Sequence, residues 1–184
     1  MNSGATPGKL TYDDFLLFPD DGQRHELIDG AHCVTPAPGR KHQTVVTRLI
    51  VEIQNFLDLH PIGEVYPAPF DVVLSLHDVV EPDLLFVRND RLHILTDANA
   101  TAAPDLAVEV VSPSTRGRDH TLKRDLYDRA SLEEYWLVDP DRSAVMVYRR
   151  AGGTLGQQGE LGGADVLTTP LLPGFALSVE RLFR

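Results

Sequence analysis

Asp83, Glu109 and Lys123 are three residues whose types and order could do phosphoryl chemistry. Asp83 lies within Val79-Val80-Glu81-Pro82-Asp83-Leu84-Leu85-Phe86-Val87, where a carboxylate among apolar strand residues is costly unless paired or bound to a metal. Pro82 has no amide proton to give a ladder, so the strand is at an edge or bulged there, and a bulge re-aims the next side chain. Glu109 is central to Leu106-Ala107-Val108-Glu109-Val110-Val111. Residues 107, 109 and 111 share one face of that strand, and a buried carboxylate needs a cation, a metal or a proton. Lys123 follows on a helix, with Asp119 and Tyr127 four residues to either side on the same face.

Each has a plainer role when taken alone. Asp83 could sit solvated in a turn before a strand that begins at Leu84. Glu109 could be paired with a buried arginine, and Lys123 with Asp119 on the surface. Together they supply what phosphodiester cleavage requires. Hard oxygen ligands hold Mg²⁺ or Mn²⁺. Such an ion polarises a phosphoryl oxygen and makes water more acidic. An ammonium beside the attacking water orients it, helps to deprotonate it or stabilises the charge that develops.

The elements that would position these groups are readable. Leu10 to Phe18 reads as a short helix with Thr11 as N-cap. His25 to Ile28 and Ala31 to Val34 flank Asp29-Gly30, a hairpin signal. Lys41 to Leu59 has helical apolar spacing and ends at Pro61 and Gly63. Phe70 to Leu76, Val79 to Val87 and Asp105 to Val111 read as strands, with residues 88–104 as a surface connection. Gly117 to Ala130 reads as a helix that buries Leu122, Leu126 and Ala130. Glu134 to Val138 and Val145 to Arg150 read as a strand pair. Residues 152–163, with six glycines, read as a loose hairpin tip, and 172–179 as one alternating strand before a helical turn. The sum is an α/β (α+β) fold with a mixed sheet.

Bulk properties limit the classes. The 184 residues suit one domain, 1–184, with its core at about 40–150. One cysteine, Cys33, excludes an internal disulfide framework and a multi-cysteine zinc site, and fits a cytoplasmic, reducing setting. No segment reads as a signal peptide or a membrane span. The net charge of -10 is unusual for a nucleic-acid binder. Its distribution is uneven: residues 1–30 hold two cations against six carboxylates, and residues 113–130 hold five cations against three.

The segments His25-Glu26-Leu27-Ile28-Asp29-Gly30, Pro82-Asp83-Leu84, Asp105 to Thr115, Asp119, Lys123, Tyr127, Glu134 to Pro140 and Leu172-Pro173-Gly174-Phe175 occur in that order. In this the chain resembles a restriction-endonuclease-like family of uncharacterised bacterial proteins within the PD-(D/E)xK nuclease superfamily, from about Leu10 to Phe183. The resemblance implies an α-β-β-β-α-β core with an extra N-terminal hairpin and extra C-terminal strands, and a metal site at the opened edge of the central sheet. It implies Asp83 and Glu109 as ligands of Mg²⁺ or Mn²⁺, with the backbone carbonyl of Val110. The signature lysine should stand two residues after the glutamate, where this chain has Val111. The family is similar in moving that lysine to the next helix, which points to Lys123.

Further expected site residues are Glu26 as an extra carboxylate, His42 at a helix start, Asp71 on a strand, and Tyr127. Arg116, Arg118 and Arg124 are the expected phosphate contacts. The expected function is a metal-dependent endonuclease on DNA. A homodimer would supply two active sites, pairing through the Cys33 hairpin or the C-terminal strand. Val111 and the acidic charge keep two alternatives open: a non-catalytic DNA- or protein-binding module, and a hydrolase of small phosphodiesters.

Overall fold

Apolar runs in this chain sort into two large sheets and a two-stranded ribbon, and the split between the two large sheets decides where the candidate site falls. The computed structural model describes residues 8–112 and 117–184, with Arg118, Asp119 and His120 described by backbone alone. The short helix α1 (Tyr12–Phe15) is capped by Thr11. The Thr11 hydroxyl accepts the Asp14 N–H, while the Asp14 carboxylate accepts the Thr11 N–H at 2.8 Å, so two backbone donors are satisfied reciprocally. Strands β1 (Arg24–Ile28) and β2 (Ala31–Thr35) form the hairpin that Asp29-Gly30 predicts. Both turn residues have positive φ, 53° and 74°, as a tight primed turn requires. Helix α2 (Arg40–Leu59) buries Val45, Leu49, Ile53 and Leu57, one stripe at four-residue spacing.

The strands continue as β3 (Gly63–Pro67), β4 (Asp71–Ser75), β5 (Asp78–Val80), β6 (Leu84–Arg88), β7 (Asn99–Ala100) and β8 (Leu106–Val110). A π-helical turn, Arg118–Lys123, runs into α3 (Arg124–Arg129). Then come β9 (Glu134–Asp139), β10 (Ala144–Ala151), β11 (Thr154–Gly162), β12 (Val166–Leu167), β13 (Leu177–Ser178) and α4 (Glu180–Phe183).

The larger sheet has the order β11-β10-β9-β8-β6-β3, parallel only between β8 and β9. The smaller has the order β2-β1-β5-β4-β7. On one face of the larger sheet, Leu84, Phe86, Val108, Trp136 and Val138 pack against the α2 stripe and the C-terminal segment. On the other, Leu85, Ala107, Val111, Tyr135 and Leu137 meet α3 and the smaller sheet. Within the larger sheet the chain runs α2-β3-β6-β8-α3-β9, which is the α-β-β-β-α-β core.

Five expectations need correction. The run from Val79 to Val87 is not one strand: it breaks at Glu81-Pro82-Asp83, with β5 in the smaller sheet and β6 in the larger. Pro82 cannot extend a ladder, and the chain uses that point to change sheets. The first core strand is β3, hidden in the sequence by Gly63 and Pro67, while β4 belongs to the smaller sheet. The glycine-rich stretch is a nine-residue edge strand paired along the whole of β10. In the tail, only Leu177–Ser178 is strand, paired with Val166–Leu167. Residues 88–104 also contain a 3-10 turn, Asn89–Ile94, and β7.

Gly63 has a packing reason for being glycine. A Cβ there would run into the Val87 carbonyl oxygen and the Phe86 ring. Gly63→Ala is expected to lower stability by about 1–3 kcal/mol, read as a lower urea midpoint at unchanged slope.

Candidate active site

Asp83 leaves the Pro82 break at the start of β6 and is 2% exposed. Opposite it, β8 runs past the end of its pairing with β6, which covers only Leu106, Ala107 and Val108. The N–H of Val110 therefore has no β6 carbonyl to meet. It donates to Asp83 Oδ2 at 2.7 Å instead. His42 Nε2, in the first turn of α2, lies 3.0 Å from the same oxygen. Arg24 Nη1, from β1, donates to Oδ1 at 2.9 Å. Burial pushes the Asp83 carboxyl upward. The His42 bond, the Arg24 charge and the Val110 N–H outweigh that and hold it below the ordinary aspartate range.

Glu109 lies on the face of β8 that looks towards α3 and the smaller sheet, and it is also 2% exposed. Lys123 Nζ donates to Glu109 Oε1 at 2.7 Å, and the Tyr127 hydroxyl donates to the same oxygen at 2.9 Å. Lys123 Nζ also lies 2.7 Å from Glu26 Oε1. Burial, with the Glu109 charge second, pushes the Tyr127 hydroxyl well up, so it stays a donor. The expected charge pairing of Glu109 is present, through a lysine rather than an arginine.

The helix carrying Lys123 differs from its sequence reading in phase. Leu122, expected in the core, is 53% exposed, whereas Lys123 is 2% exposed. The π-helical turn closes i→i+5 bonds and adds a residue to the turn, so it shifts which positions face inward. Leu126 and Tyr127 in the α-helical part that follows are both buried.

A cavity of about 610 Å³ opens onto these groups. Asp83, Glu109, Lys123, His42, Arg24 and Glu81 line it, together with the Pro36 to Gly39 loop. Arg24 spans two carboxylates, with Nε 2.6 Å from Glu81 Oε1. Burial works to lower the Arg24 pKa, but Asp83, Glu109 and Glu81 outweigh it and raise it. Glu81 is pushed up by burial, partly opposed by Arg24, and then by the charges of Asp71 and Glu26. Among the described side chains, Glu26, Glu81, Asp83 and Glu109 stand against only Arg24 and Lys123 as permanent cations.

That excess of carboxylate suits a divalent ion, and the donors are the hard oxygens that Mg²⁺ and Mn²⁺ prefer. The N–H and C=O of one extended residue point to the same side, so the Val110 carbonyl lies along the edge from which its N–H reaches Asp83. Among the described residues, no three His, Cys, Asp or Glu side chains already converge on one point; the ion pairs above hold the carboxylates instead. The His42 Nδ1 atom is buried without a hydrogen-bond partner, a polar atom that a bound group or water would satisfy.

The sequence matches, over residues 12–180, a family named Uma2 and described as "Putative restriction endonuclease". The chain belongs to that family. A solved structure described as a "putative nuclease belonging to DUF820", from Anabaena variabilis, is similar at a TM-score of 0.78 and 22% identity, with 95% of this chain and 97% of that chain covered. That likeness supports the restriction-endonuclease-like fold. No curated protein matches.

In this Uma2 member the expected residues fall in two groups, His42 with Asp83 and Lys123 with Glu109, Glu26 and Tyr127. Arg24, bound to both Asp83 and Glu81, and the Glu81 N–H, which donates to Glu26, connect them. Arg124 is engaged with its neighbour Asp125, at 2.6 Å, and does not line the cavity. Arg116 lies outside the described residues, as does the side chain of Arg118. The sequence reading passed over Arg24 and Glu81. Arg24 is one of only two cations in the first thirty residues, and that scarcity beside so many carboxylates was the available signal.

Asp71 stands at the start of β4, where burial and the Glu26 charge push its carboxyl up. A carboxyl whose folded pKa is raised gives stability below its unfolded pKa and loses it as pH rises through the folded value. Asp71→Asn is therefore expected to be more heat-stable than the parent at pH 7. The gap should close as pH falls towards 4, read by thermal unfolding at both pH values.

Proposed function

We propose that this chain is a metal-dependent endonuclease that hydrolyses DNA phosphodiester bonds. The observation that carries the reading is the meeting of Asp83, Glu109 and Lys123 in the lining of one cavity, with carboxylate in excess over fixed cation. Asp83, Glu109 and the Val110 carbonyl would hold Mg²⁺ or Mn²⁺. When bound, the ion supplies Lewis-acid polarisation of the phosphoryl oxygen and a more acidic water.

The chain's own groups then divide the remaining work. Tyr127 and Lys123 both donate to Glu109 Oε1 and fix its carboxylate. The Lys123 ammonium, anchored beside Glu109, orients the attacking water and offsets negative charge on the phosphorus centre. His42 and the Val110 N–H hold Asp83 Oδ2. Arg116 and Arg118 are carried forward as phosphate contacts, with Arg124 as a weaker one. A homodimer, presenting two sites to a duplex, and a cytoplasmic location belong to the same proposal. Among the described residues no helix is long and apolar enough to cross a membrane.

Plasmid nicking by the purified chain with Mg²⁺, Mn²⁺ or EDTA tests the reading. Metal-dependent conversion of supercoiled to open-circular DNA is the expected result. Absence of cleavage with every metal, in a folded protein, would sink it. A second reading rests on the acidic charge of -10: hydrolysis of a small phosphodiester. Activity on an aryl phosphodiester without activity on plasmid would select that reading.

A further inference from the structure

We propose that Arg24 is a positioning residue that competes with the divalent ion for Asp83, so that it sets the metal affinity of the site. This rests on the metal-dependent reading above. Asp83 Oδ2 already accepts two donors, His42 Nε2 at 3.0 Å and the Val110 N–H at 2.7 Å. Oδ1 is the atom left to turn towards an ion, and the Arg24 Nη1 lies on it at 2.9 Å. The Arg24 side chain is 18% exposed and that of Asp83 is 3% exposed. Little water is present to screen a guanidinium from a divalent cation on the same carboxylate, and they repel strongly.

Glu81 gives Arg24 a second place to rest. Its Oε1 takes the Nε edge of the guanidinium at 2.6 Å, while Asp83 takes Nη1. The planar fork of arginine can keep one carboxylate while releasing the other. Both resting places line the same cavity. An ion arriving at Asp83 thus moves Arg24 onto Glu81 rather than out of the protein. In the ion-free state the same guanidinium compensates two carboxylates that would otherwise repel each other.

The test is Mn²⁺ titration calorimetry on the full chain, on Arg24→Met, Arg24→Lys and Asp83→Asn, beside thermal unfolding in EDTA and in Mn²⁺. Arg24→Met is expected to bind Mn²⁺ at least tenfold more tightly than the parent and to melt lower in EDTA. Its melting temperature should rise more on adding Mn²⁺, since a ligand that binds only the folded state stabilises it in proportion to occupancy. Arg24→Lys keeps the charge but cannot fork across both carboxylates, so its affinity should fall between the two; it carries the test if Arg24→Met does not fold. Equal or weaker Mn²⁺ binding in the Arg24 variants, with the parent binding normally, would overturn the proposal and leave the metal reading standing. A parent that binds no Mn²⁺ would overturn both, and loss of binding in Asp83→Asn alone marks Asp83 as the donor.

Discussion

Lys123→Ala is expected to abolish cleavage and to weaken the fold at the same time. Lys123 is 2% exposed, and its ammonium lies 2.7 Å from both Glu26 Oε1 and Glu109 Oε1. Its removal strips two buried carboxylates of a shared cation, and breaking a buried pair from one side costs about 3–5 kcal/mol. The catalytic loss should be about a hundredfold or more, as for removal of a placed proton-handling group. Lys123→Ala with Glu26→Gln separates the two effects. The double variant should regain part of the lost stability, because the carboxylates and the lysine are coupled and their effects do not add. It should regain no cleavage. Urea unfolding and plasmid nicking on the same preparations read both quantities. A Lys123→Ala protein that cleaves at the parental rate would remove Lys123 from the site.

Asp83→Asn should have an effect of similar size by another route. Asparagine keeps the shape and one carbonyl oxygen, which can still accept the Val110 N–H. It cannot balance Arg24 or take a full-strength bond from His42, the partners at 2.9 Å and 3.0 Å. Hydrogen bonds to a charged group contribute about 1.5–3 kcal/mol each, so stability should fall by several kcal/mol. Mn²⁺ binding should be lost and nicking should fall to the level seen in EDTA. Retained nicking with Mn²⁺ would exclude Asp83 as an ion donor.

What could be read from the sequence was set by local period. The two-residue repeat of β8 placed Glu109 with Ala107 and Val111 on one face, and the structure agrees. The four-residue repeat of α2 and the Asp29-Gly30 turn were equally plain. The Asp119, Lys123, Tyr127 spacing put Lys123 and Tyr127 on one helix face, and in the structure both donate to Glu109 Oε1. It failed for Leu122 because a π-helical turn has a different period. Most of the environment of Asp83 was not legible: Arg24 and His42 reach it across 59 and 41 residues of chain. Long-range pairing leaves no local pattern. Val111, where the signature lysine was expected, is instead a core residue, 4% exposed. Gly63 and Pro67 hid β3 because both read as breakers, while one needs its lack of a Cβ and the other ends a strand.

The break at Pro82 leaves two backbone amides beside the cavity whose bonds are made by acidic side chains: Val110 N–H on Asp83, and Glu81 N–H on Glu26 at 3.0 Å. Those two amide protons are therefore reporters of the site. Their hydrogen-exchange protection depends on carboxylates rather than on a neighbouring strand, so it should change when Asp83 or Glu26 is altered, while amides deeper in β8 and β9 keep their rates. Exchange at two positions could thus follow the ionic state of the cavity in a protein that has no substrate to turn over.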